Sequence, residues 1–174
     1  MYPFPHLRAH WDRLWACIAA EVPGAPSTLA WERPLDELWR DPALLVGVTC
    51  GWPLVTQLPG LAVVGTFDPA VPWARDGRYR SVLVASKPTS IGEWRHVPGA
   101  VAAVNGTDSL SGWVSLCHAW GGTPEHLRVT GEHLESLRAV ARGDAHVASI
   151  DAVTFELAVE AEPMTAGAVH VIGH

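Results

Sequence analysis

Apolar positions recur at steps of three and four between residues 6 and 22, where Leu7, Trp11, Leu14, Trp15, Ile18 and Val22 share one face. That period predicts an amphipathic helix, and Pro23-Gly24 stops it. A short helix is expected over Leu35–Trp39, after Pro34. The apolar positions then bunch. Leu44–Val48 and Leu61–Phe67 are apolar runs of strand size, and Tyr79–Ala85 alternates. Between them, Thr49–Pro53 reads as a loop or helix start, and Asp76-Gly77 marks a turn.

The second half repeats the alternation on a tighter scale. A short helix is expected over Ile91–His96, a strand over Ala100–Val104, a polar loop at Asn105–Asp108 and a helix over Ser109–Trp120 closed by Gly121-Gly122. A strand at Leu127–Val129, a helix at Glu132–Arg142 stopped by Gly143 and a strand at Val147–Ile150 follow. The chain ends with a helix over Ala152–Glu162 and a strand over Ala168–Ile172. Short apolar strands alternating with helices predict an α/β fold with mainly parallel sheets flanked by helices. A two-lobed organisation is expected: a first lobe over residues 1–85 with a return strand at 168–174, and a second lobe over 86–167.

The net charge of −6 excludes the basic footprint of a nucleic-acid binder. No run is apolar enough to span a membrane, and Met1–Pro5 lacks the basic start and apolar core of a leader. That leaves a cytoplasmic protein, or a periplasmic one whose leader is missing from this chain. Cys17, Cys50 and Cys117 are an odd number without metal-ligand spacing, so they read as buried thiols. Neither a metal nor another cofactor is implied.

In α/β sheets ligands gather at the carboxyl ends of strands, which selects the loops at Cys50–Pro53, Asn105–Ser111, Thr130–His133 and Asp151–Thr154. At the second of these a strand runs through a polar loop into a helix that opens with Ser109 and Ser111. Backbone N–H groups and two hydroxyls there suit an anion. Capping of the helix by Asp108 or Ser109 would use the same residues. His133, in the first turn of its helix, is a candidate donor, and Asp151, directly after a strand, is either a ligand acceptor or an N-cap.

Together, VNGTDSLSGW (104–113), TGEHLESLRAVARGDAHVASID (130–151) and AVTFE (152–156) resemble the phosphate/phosphite/phosphonate family of ABC-transporter substrate-binding proteins. Ala139-Val140 and Gly143-Asp144 before a strand ending in Asp, and Cys50–Leu54 in the first lobe, carry the same likeness. The resemblance implies the type II periplasmic-binding fold, two lobes closing on a ligand at a hinge. It implies that Ser109, Leu110 and Ser111 grip the anion, that His133 contacts it, and that Asp151 faces the ligand's amine end. Tyr2 or Trp52 would supply a closing aromatic. Leu110 departs from the family, which has a hydroxyl at that position. The family also opens with a further strand and continues past the return strand, so the chain reads as truncated at both ends, with exposed apolar surface that a homodimer would cover.

The function this implies is non-catalytic binding of a phosphate- or phosphonate-like anion, or an amino-phosphonate, in partnership with an ABC permease. Two alternatives use the same residues differently. One is a cytoplasmic sensing domain acting on a regulatory partner protein. The other is a cysteine-dependent enzyme using Cys50.

Overall fold

The computed structural model describes residues 4–69 and 78–174. One five-stranded sheet organises it, in the order β3-β2-β4-β1-β5. The strands are β1 (Ser81–Ala85), β2 (Val101–Val104), β3 (His126–Val129), β4 (Val147–Asp151) and β5 (His170–Gly173). β2 is parallel to both β3 and β4, whereas β1 is antiparallel to β4 and β5. Four strands therefore point one way and β1 runs against them. The sheet crosses the boundary expected at residue 85, because β1 and β5 lie in it beside β2–β4.

Period-two alternation divides the strand residues between two helical layers. Val82, Val84, Ala103, Ala148 and Ile150 face one cluster, which holds Leu134, Leu137 and Val140 of α6 (His133–Arg142) and Ala152 and Ala158 of α7 (Ala152–Ala161). Ala85, Ala102, Val104 and Val147 face the other, with Trp94 of α4 (Ile91–Trp94) and Leu116 and Trp120 of α5 (Ser115–Trp120). Gly121 closes α5 and Gly143 closes α6, each in the left-handed conformation that glycine adopts without strain.

Three differences from the sequence reading have local causes. The helix expected over Ser109–Trp120 begins as a π-helical turn, Leu110–Val114, before becoming α5. A short helix, α8 (Pro163–Gly167), follows α7. Leu44–Val48 and Leu61–Phe67 are not strands. A strand needs a neighbour for its backbone N–H and C=O groups, and these runs join no ladder; Leu45, Val46, Val63, Val64 and Phe67 are exposed. In the same region α1 (Arg8–Glu21), α2 (Leu35–Trp39) and α3 (Gly51–Gln57) form close to where expected. Phe4 is buried in the core with α6 and α7, tying the start of the described chain to the sheet. The Asp76-Gly77 turn and Tyr2 lie outside the described residues.

Candidate functional site

The carboxyl ends of β2, β3 and β4 open on the same end of the sheet, and the antiparallel β1 brings its beginning there. Ser81 pairs with Asp151 across the β1–β4 ladder. The strand-end loops are thereby gathered around Ser111.

Ser109 is 5% exposed and precedes the π-turn; its Oγ accepts the Gly112 N–H at 2.9 Å. Its acceptor role is the capping one. Ser111, equally buried, lies inside the turn. Its hydroxyl is 2.8 Å from His133 Nε2, and its carbonyl accepts the Ser149 hydroxyl at 2.6 Å. Ser149 and Asp151 alternate onto the face of β4 that meets the turn. Asp151 caps α7: its Oδ1 accepts from the Thr154 N–H at 2.8 Å and from the Thr154 hydroxyl at 3.3 Å.

His133 is the first residue of α6. Burial lowers its pKa to about 4, against the opposing influence of the Ser149 carbonyl. The ring is neutral at physiological pH, and its Nδ1 is buried without a hydrogen-bond partner among the described residues. The loop before it is tied to its neighbours by Thr130. Thr130 Oγ1 bonds the Val104 and Glu132 carbonyls and the Ser136 hydroxyl, tying the ends of β2 and β3 to α6.

Sequence reading missed Tyr79. Its pKa is raised to about 12, first by burial, then by Cys50 and by the Asp151 carboxylate, with a hydrogen bond to Ser111 acting the other way. Tyr79 therefore joins Cys50, Asp151 and Ser111 in one cluster. The available signal was parity: Tyr79 stands two residues before Ser81, the first residue of β1, as Ser149 stands two before Asp151 in β4. What sequence lacked was the antiparallel register that places them side by side.

Leu110 turns its side chain towards α3; its Cδ2 lies 3.8 Å from where a Cβ on Gly51 would stand. It is a packing contact between α3 and the π-turn. Trp52, the next residue of α3, is 38% exposed beside that contact. Cys50 is the extended residue before α3, and His133 bonds Ser111 rather than a thiol. The close approach at Gly112 has a plain cause: a Cβ there would sit 1.9 Å from Asn105 Oδ1. Among the described residues no group of three or more His, Cys, Asp or Glu could hold a metal ion.

Buried hydroxyls, a neutral imidazole and a carboxylate are thus gathered at the carboxyl ends of the parallel strands, where α/β sheets take their ligands. The chain belongs to the ABC-transporter phosphonate periplasmic substrate-binding protein family, whose model matches residues 68–174. Among solved structures it is similar to the binding protein component of an ABC phosphonate transporter from Pseudomonas aeruginosa, with 21% identity and a TM-score of 0.43. The match covers 55% of this chain and 35% of that one, so the chain spans about a third of that protein's length. No curated protein matches it.

Proposed function

We propose that the chain binds a small phosphate- or phosphonate-like anion at the strand ends, without catalysis, as the ligand-carrying partner of an ABC permease in the periplasm. The observation that carries the reading is the Ser111–His133 pair, 2.8 Å apart, with Tyr79 bonded to the same serine and Asp151 close to Tyr79. Hydroxyls and backbone N–H groups hold the anion's oxygens. Asp151 and Tyr79 face the far end of the ligand, which suits the ammonium of an aminoalkylphosphonate. Trp52, exposed on α3, is the candidate closing aromatic; Tyr2, the alternative, lies outside the described residues.

Isothermal titration with methylphosphonate, inorganic phosphate and an aminoalkylphosphonate tests this. At least one should bind at micromolar concentration, with a change in the fluorescence of Trp52 and Trp113. A folded chain that gives no heat with any of them contradicts the reading.

Self-association through residues 44–67 is part of the same proposal. That run carries no charged residue in a chain of net charge −6, so two copies meet there without opposing like charges. Analytical ultracentrifugation should show a dimer; a monomer at every concentration contradicts it.

A further inference from the structure

We propose that Ser149 is a positioning residue of the anion site: its hydroxyl holds the start of the Ser111 helix in π register, and thereby holds the Ser111 side chain against His133. This rests on the reading of the strand ends as an anion site. It assigns a residue that acts there through Ser111.

Ser149 interrupts the apolar stretch of β4 that runs from Val147 to Ile150, and it is fully buried. A hydroxyl so placed needs a hydrogen-bond partner. Its Oγ donates to the Ser111 carbonyl at 2.6 Å. The register of the turn explains why that carbonyl accepts from a side chain. In an α-helix it would receive the N–H four residues on, that of Ser115. Here the Ser115 N–H bonds the Leu110 and Gly112 carbonyls and passes over Ser111. The Val114 N–H likewise reaches back five residues, to the Ser109 carbonyl at 3.1 Å. β4 supplies the donor that α-helical winding would have given.

The register decides where Ser111 points. Without the Ser149 hydroxyl, the Ser111 carbonyl loses that donor inside the protein, and the Ser115 N–H is the group next to it in the helical order that replaces it. Taking that bond winds the turn from π to α and rotates the residues before Ser115 about the helix axis. The Ser111 hydroxyl, 2.8 Å from His133 Nε2, then leaves the imidazole. Gly112, which lies close against Asn105 Oδ1, moves with it. π-turns inside helices recur at functional sites, and here a buried side chain of the neighbouring strand holds one in place.

The test is calorimetric titration of the intact chain with methylphosphonate in four forms: wild type, Ser149→Ala, Ser149→Thr and Val84→Ala. Threonine suits a strand and keeps the donor. Val84→Ala removes buried methyls from β1 and serves as a control for lost stability. Ser149→Ala should weaken binding about tenfold, Ser149→Thr should recover most of that loss, and Val84→Ala should bind as wild type does. In ligand-free chains, the Ser115 amide and Ser111 carbonyl resonances should move in Ser149→Ala and return in Ser149→Thr. If Ser149→Ala does not fold, Ser149→Cys, close in shape and a weak donor, takes its place. Wild-type affinity in Ser149→Ala, equal losses in Ser149→Ala and Ser149→Thr, or an equal loss in Val84→Ala overturns this inference alone. Absence of heat from the wild-type chain with methylphosphonate, phosphate and aminoalkylphosphonate overturns the anion-site reading beneath it. The Ser115 amide in ligand-free chains then still decides whether Ser149 holds the register.

Discussion

Ser111 serves three partners: its carbonyl holds Ser149, and its hydroxyl meets His133 and Tyr79. Ser111→Ala would strand a half-buried imidazole nitrogen, at about 1–3 kcal/mol. Urea denaturation should show that loss, and methylphosphonate affinity should fall roughly tenfold or more; a variant unchanged in both contradicts the assignment. His133 makes a second prediction, in pH. Its pKa is near 4 when folded and 6.5 in the free side chain, so between those values the unfolded chain binds more protons. Stability from this group is present above pH 6.5 and is lost as pH falls towards 4. The loss is at most about 3 kcal/mol, and less for a ring that keeps some solvent contact. Denaturation midpoints against pH should be flatter in His133→Asn over that window. An equally steep decline in both chains contradicts a buried neutral His133.

At the scale of elements, the π-turn carries Ser111 of the proposed site, and Gly112 lies close against Asn105 there. Gly112→Ala puts a Cβ 1.9 Å from Asn105 Oδ1 and 3.1 Å from Ser109 Oγ, so the Asn105 side chain must leave its place. A cost of about 1–3 kcal/mol is expected, as for other overpacked interiors, with anion affinity falling in parallel. Wild-type melting and binding in Gly112→Ala would contradict the close approach. The turn also shows what a sequence discloses. Ser109, Ser111, His133 and Asp151 were legible because each stands where a strand hands over to a helix, a local signal of polar residues after an apolar run. The same local logic revealed that Ser109 and Asp151 had a capping alternative, and both do cap. Tyr79 and Ser149 were not legible as site residues, because their places depend on the pairing of Ser81 with Asp151, seventy positions apart in sequence. The π-helical start was hidden too, since no apolar period marks it. Leu44–Val48 and Leu61–Phe67 misled for the converse reason: an apolar run specifies a strand's composition but not the neighbour it needs.

Across the whole molecule, cohesion is concentrated in the sheet and its two helical layers. Leu137 is fully buried between α6 and the sheet, whereas Val64 is 87% exposed. Leu137→Ala should cost about 2–5 kcal/mol, and Val64→Ser about 0.5 kcal/mol or less; comparable losses in chemical denaturation would contradict this division. α/β character and helical flanking were readable from alternation alone. The single sheet that runs across residue 85 was not, because the antiparallel β1 is inserted between β4 and β5 by long-range pairing. The proposed site stands at the carboxyl ends of the parallel strands of this stable part. The most direct test is a backbone amide NMR titration of the intact chain with methylphosphonate. Amides of Ser109–Gly112 and His133 should shift first and saturate together. Shifts confined to other surfaces, or none at millimolar ligand, would contradict an anion site at those strand ends.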